Sequence, residues 1–254
     1  MVDALVLAGS FNNGPLKDVS PARFEALIPI GGKPMVEYVV EALRASGQID
    51  RIVLVGPPDG LKPLGSGPKT TVAGSAGGIM ENIEAGLVHL PGSRRVLLAT
   101  SDIPLLTGEA VDDFIAGCGD MKGDLYYPII GREVVEKRFP NTRRTYVTLK
   151  EGVFTGGNLF LINPAVFRQC MENGRRIIAQ RKNPLGLCRL LGLSFVVKFL
   201  LRLVTIAEAQ KKVSQLLGID GRVVLSRFPE VGVDVDKPGD LELVKQAIEA
   251  KTGL

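Results

Sequence analysis

Tryptophan is absent from this chain of 254 residues, tyrosine occurs four times and histidine once. The lack of Trp and the scarcity of Tyr count against a platform on which nucleic-acid bases could stack. The single His89 excludes a multi-histidine metal centre, and any Ser-His-Asp triad would have to be built on it. The three cysteines, Cys118, Cys170 and Cys188, show no CxxC spacing, which argues against a zinc site or a disulfide frame and for reduced thiols. Charge of one sign is scarce too. Lys and Arg number 31 against 27 Asp and Glu, an excess that suits anionic small molecules but is too small and dispersed for a nucleic-acid partner. No basic n-region or cleavage site precedes the first apolar run, so a cytoplasmic location is expected.

What the chain does contain is a hydrophobic fraction of 45%, enough to bury a proper core. Short apolar runs at residues 4–8, 51–55 and 95–99, the last two opening on an Arg, alternate with helical patterns at 34–46, 81–90 and 108–116. Strands apolar on both faces, separated by helices, predict a doubly wound, mostly parallel α/β sheet flanked by helices. Its ligand crevice should lie at the carboxyl ends of the strands. Residues 125–130, 145–149 and 158–162 read as mixed or antiparallel strands that extend the sheet. Residues 164–220 read as an inserted helical lobe, and 223–225 and 231–235 as late strands before a closing helix at 241–250. One domain spanning residues 1–254 is the expected organisation.

One stretch of the lobe stands out: KNPLGLCRLLGLSFVVKFLLRLVT, residues 182–205. Arg189, Lys198 and Arg202 interrupt it, so it is not a transmembrane span. Helices buried against the sheet or against a second subunit, in a homodimer, are the first expectation. Peripheral contact with a membrane is the other.

Chemistry concentrates in three places. The turn after the first run, LAGSFNNG (residues 7–14), offers glycines that let backbone N–H groups converge on phosphate oxygens, although a tight turn alone would also explain them. Asp102, in SDIPLLT, follows the third apolar run. Thr107 is the better cap for the next helix, which leaves Asp102 free to face the crevice and hold Mg²⁺ against a triphosphate. In VGVDVDKPGDLELV, Asp234 and Asp236 point alike if the segment is a strand. One of Asp234, Asp236 and Asp240 should be structural, and Asp102 with one of Asp234 or Asp236 makes a two-carboxylate magnesium site.

These segments, with EALIPIGGKPMVEYVVEAL and TGGNLFLINP, occur in the order seen in GT-A-type nucleotidyltransferases. They most resemble the MobA-like (molybdenum-cofactor guanylyltransferase-like) branch. The resemblance covers residues 4–162 and 231–248 and weakens across the lobe. It implies transfer of an NMP from an NTP to a phosphorylated small-molecule acceptor, with release of pyrophosphate and Mg²⁺ as cofactor. Leu7, Ala8, Gly9, Ser10 and Gly14 would cradle the nucleotide, joined by Gly77, Gly78, Asn82 and Asp102. Thr155, Gly156, Gly157 and Asn158 would border the acceptor, and Asp102, Asp234 and Asp236 would be the metal ligands. Two departures stand out. The loop lacks the family's Arg, and Glu25 stands where the family places a catalytic Lys. Lys17, Arg23 and Lys33 are then the candidate catalytic cations. A nucleotide-binding module with weak catalysis and a GT-A-type glycosyltransferase are the alternative functions.

Overall fold

The computed structural model describes residues 1–140, 142–180 and 184–252. The first half runs β1 (Val2–Leu7), a hairpin of β2 (Pro29–Ile30) and β3 (Lys33–Pro34), α1 (Met35–Ala45), β4 (Ile49–Gly56), α2 (Pro58–Gly65), β5 (Thr70–Gly74), α3 (Ile79–Leu87), β6 (Val96–Thr100) and α4 (Gly108–Gly117). The second half runs β7 (Leu125–Gly131), α5 (Arg132–Arg138), β8 (Val147–Leu149), β9 (Gly152–Gly156), β10 (Leu159–Ile162), α6 (Pro164–Gln180), α7 (Pro184–Leu191), α8 (Leu193–Leu200), α9 (Ile206–Leu217), β11 (Gly221–Ser226) and α10 (Pro238–Thr252).

The expected doubly wound sheet is present. β1 pairs in parallel with β4 and β6, and β4 with β5. β10 then runs antiparallel between β6 and β7, β9 continues antiparallel from β7 to β8, and β11 pairs in parallel with β7. Alternation along β1 explains why the runs are apolar throughout. Ala4 and Val6 share a core with Val36, Val40 and Leu43 of α1 and with Val111 and Phe114 of α4. Leu5 faces the other way, into a second core with Met80 and Ile83 of α3 and Phe167 and Met171 of α6. Both faces are covered, so neither can be polar.

Thr107 caps α4 as its position suggests, accepting a hydrogen bond from Ala110 N at 3.2 Å. Other expectations need correcting. Residues 231–235 form no strand. Pro229–Gly232 is a 3₁₀ turn, and the chain beyond it lies in no sheet. Its backbone is held at isolated points, Asn158 N to Val231 O at 2.7 Å and Val235 N to Asp102 O at 2.8 Å. The apolar alternation there reflects insertion of Val231, Val233 and Val235 into the core. α2, β5, α5 and β9 were hidden by Gly, Pro and charge, which blur both periods.

The lobe is helical as expected, but α8 is not buried on the sheet: none of its residues is buried. Lys182 and Asn183, at the start of that unusual stretch, lie outside the described residues.

Candidate active site

The parallel strands β1, β4, β5 and β6 end at one edge of the sheet, and the turns that follow them meet there. Gly9 is the point of closest approach between two of these turns. A Cβ on Gly9 would stand 2.7 Å from Ser75 Oγ and 3.0 Å from Asn82 Nδ2, so a larger residue would have to push those side chains aside for the turn after β1 to lie against the turn after β5. Asn82, buried on the first turn of α3, organises the second turn. Its Oδ1 accepts from Ala76 N at 2.7 Å and Ser75 Oγ at 3.0 Å, and its Nδ2 donates to Gly77 O at 3.4 Å. Gly77, at φ 119°, makes the bend into Gly78, the N-cap of α3.

The first loop is fastened from behind. Asn12 Nδ2 donates to Ser20 O at 3.1 Å and Ala22 O at 3.0 Å, Asn12 N to Arg23 O at 3.0 Å, and Glu25 N to Ser10 O at 3.1 Å. Among the described residues no backbone carbonyl accepts from the N–H groups of Gly9, Ser10 and Gly14. Converging backbone donors of this kind suit phosphate oxygens.

The carboxylates lie one strand further on. Oxygen atoms of Asp102, Asp234 and Asp236 lie within 4.8 Å of one another. The segment after the 3₁₀ turn brings them together through the Val235–Asp102 hydrogen bond, not through a strand pairing. Burial of the Asp102 carboxylate pushes it above the usual carboxylate range. The Thr100 hydroxyl, which donates to it, and Arg144 pull the other way, and the Asp236 charge adds to the rise. Three carboxylates form an all-oxygen donor set that fits a hard divalent cation such as Mg²⁺, which takes one or two carboxylates and shares its other positions with water and phosphate.

Asp240 is the structural member of the acidic run. Its Oδ2 accepts from Asp236 N at 3.2 Å and its Oδ1 lies 3.2 Å from Arg144. Arg144, whose side chain is only 6% exposed, also pairs with the Asp234 carboxylate and donates to Asp234 O at 2.6 Å. The guanidinium therefore balances an acidic cluster that would otherwise repel itself. Sequence reasoning missed Arg144. It sits in an irregular stretch with no motif, and nothing local links it to an aspartate 90 residues away.

Thr155, Gly156, Gly157 and Asn158 adjoin this cluster. Asn158 O accepts from Thr100 N at 3.2 Å, and Gly157 N donates to Pro128 O at 2.9 Å. A Cβ on Gly157 would stand 2.8 Å from Pro128 Cγ and 3.0 Å from Val231 O. This glycine thus lets the segment carrying Asp234 and Asp236 approach the sheet.

The candidate cations are dispersed. Lys17 and Arg23 are exposed, and Arg23 lies 5.6 Å from the centroids of the stacked Phe11 and Phe24 rings. Lys33 pairs with Glu41 at 2.6 Å, and that hydrogen bond raises its pKa. Glu25 stands at the far end of the loop, its Oε1 4.0 Å from where a Gly14 Cβ would be.

Comparison with known proteins agrees with this architecture. The MobA-like NTP transferase domain matches residues 21–184, and the chain belongs to that family. A protein described as a hypothetical transferase from Thermus thermophilus superposes with a TM-score of 0.83 at 42% identity, over 94% of this chain and 99% of that one. A CMP:2-keto-3-deoxy-manno-octonic acid synthetase complexed with CTP (TM-score 0.61, 14% identity, 98% of each chain) and a 4-diphosphocytidyl-2C-methyl-D-erythritol synthase from Anaerococcus prevotii (0.59, 12%, 98% of each) share the fold. The bifunctional protein GlmU of Cellvibrio japonicus is 28% identical over 125 residues, 48% of this chain. The match spans only 27% of GlmU's length.

Proposed function

We propose that this member of the MobA-like NTP transferase family moves a nucleotidyl group from an NTP to a phosphorylated small-molecule acceptor. An acceptor phosphate oxygen forms a bond to the α-phosphorus, the bond from that phosphorus to the β-phosphate bridging oxygen breaks, and pyrophosphate leaves with the electron pair. The observation that carries this reading is a cluster of three carboxylates just beyond β6, the strand paired with β1, whose own following loop has N–H groups that no backbone carbonyl accepts.

In this reading Leu7, Ala8, Gly9, Ser10 and Gly14 hold the triphosphate, with Gly77 and Gly78 beside the nucleoside and Asn82 holding their turn in shape. Asp102, Asp234 and Asp236 hold Mg²⁺, which supplies charge neutralisation on the phosphates when bound. Thr155, Gly156, Gly157 and Asn158 border the acceptor. Lys17 and Arg23, both exposed beside the loop, supply positive charge; Lys33 joins them on release from Glu41. Catalysis then rests on in-line placement and charge, without a covalent nucleophile. The free cysteines support a cytoplasmic site of action.

Glu25 at the loop favours a second reading, a nucleotide-binding module with weak turnover. One experiment separates the two. Each of the common NTPs is supplied with Mg²⁺ and a panel of phosphorylated acceptors, and pyrophosphate is measured in parent and Asp102→Ala proteins. Release that requires Mg²⁺ and falls at least about 100-fold in the variant supports transfer. NTP binding without release by the parent supports the module.

A further inference from the structure

Residues 173–207 carry seven Lys and Arg and no Asp or Glu. The remaining 24 of the chain's 31 basic residues stand against all 27 acidic ones. The positive excess of the protein is thus confined to the part of the lobe that includes α7 and α8.

α8 is amphipathic with its apolar side outward. It starts after Gly192, whose φ of 83° only glycine adopts readily. Leu193, Val197, Leu200 and Leu201 follow the i, i+4, i+7, i+8 spacing of one helix face and are 79%, 46%, 74% and 62% exposed. Leu203 continues the patch at 54%. Ser194, Lys198 and Arg202 border this stripe, and the exposed Arg189 lies on α7. The helix ends in a Schellman turn, Leu203 N to Lys198 O at 2.9 Å and Arg202 N to Phe199 O at 3.0 Å. The left-handed position of that turn, normally glycine, is held by Arg202 at φ 58°. A cation thus takes a strained position at the edge of an exposed leucine patch.

We propose that this face of α8 docks on an anionic bilayer surface. Its leucines enter the acyl boundary, while Arg202 and Arg189 meet acidic headgroups; Lys198 is already paired with Glu208 at 2.7 Å. With eight residues, α8 is too short to span a bilayer, so it lies along one. Charge excludes a second copy of the same patch as the favoured occupant, because a two-fold axis would set its cations against their own kind. Nucleic acid fits poorly, since a leucine stripe neither stacks on bases nor binds phosphate.

The lobe is tied to the β8–β9 turn by Lys150 N to Val204 O at 2.9 Å and Ile206 N to Glu151 Oε2 at 3.0 Å. β9 leads from that turn to Thr155 and Gly156. The docking itself does not depend on the transfer reading, because it is measured without nucleotide.

The test is co-sedimentation of the full chain with phosphatidylcholine vesicles, with and without phosphatidylglycerol. Binding should require phosphatidylglycerol and weaken as salt rises. The double variant Leu193→Asp/Leu200→Asp, altered only at exposed positions, should bind more than about tenfold more weakly. Arg202→Gly should bind about fivefold more weakly while melting no lower than the parent, because glycine suits that backbone. Three results would each overturn the proposal: no binding to acidic vesicles, equal binding to neutral ones, or a dimer that the leucine substitutions dissolve in a protein that ignores vesicles.

Discussion

Arg144 and Asp234, 90 residues apart, share a partly buried ion pair at the centre of the acidic cluster, and the same guanidinium reaches the buried Asp240 at 3.2 Å. A single cation from an irregular stretch thus holds in place the segment that presents two of the three clustered carboxylates. The pair belongs to the site's architecture as much as to its chemistry.

Removing that cation leaves two carboxylates short of a partner, one of them buried. Arg144→Met should lower the unfolding free energy by about 3 kcal/mol, the cost of breaking a buried pair from one side. Urea denaturation should show an earlier midpoint with an unchanged slope. Added Mg²⁺ should raise the midpoint more in the variant than in the parent, because the ion replaces part of the lost positive charge.

Gly157 separates packing from chemistry. In Gly157→Ala the new Cβ meets Pro128 Cγ and the Val231 carbonyl, and backbone cannot step aside as a side-chain tip can. The cost should be about 1–3 kcal/mol, read as a fall in the thermal midpoint. Displacement of Asp234 and Asp236 should also weaken the dependence of nucleotide affinity on Mg²⁺, measured by titration calorimetry.

In the proposed transferase, Glu25 brings a carboxylate to the loop assigned to the triphosphate. Glu25→Gln should tighten NTP binding by about fivefold, the effect of removing about 1 kcal/mol of repulsion at a partly screened site. Fluorescent-nucleotide titration in low salt reads the change, and the gain should shrink as salt rises. No change would remove Glu25 from the electrostatics of the loop.

Far from the site, Asp3 sets an acid limit on stability. Burial alone would raise its carboxyl, but hydrogen bonds from Arg51 and Ser93 outweigh burial and hold it below the ordinary 3.8. A carboxylate with a lowered folded-state pKa contributes stability above 3.8 that is lost as pH falls through the folded value. Asp3→Asn should therefore be less stable near neutrality and show a flatter decline below about pH 4. Chemical denaturation across that range checks both.

Much of the architecture was legible because burial on both faces writes itself into composition: β1, β4 and β6 have little choice but Ala, Val, Leu and Ile. Asp102 was legible for a related reason, being a carboxylate after an all-apolar strand with the helix cap already supplied by Thr107. β5 was not, since GSGPKTTVAG carries turn residues into the strand's approach. Residues 231–235 misled because insertion of alternate valines between elements has the same period as a strand.

The sequence by itself determined the layered α/β plan, the helical character of the lobe and the residue types at the crevice, because these follow from local periodicity and strand-end position. Tertiary structure alone decided that all three aspartates converge, that Asp240 is their brace, that Arg144 balances them and that the leucines of α8 face water. Each of these depends on contacts between distant segments, or on their absence, and no local pattern encodes either.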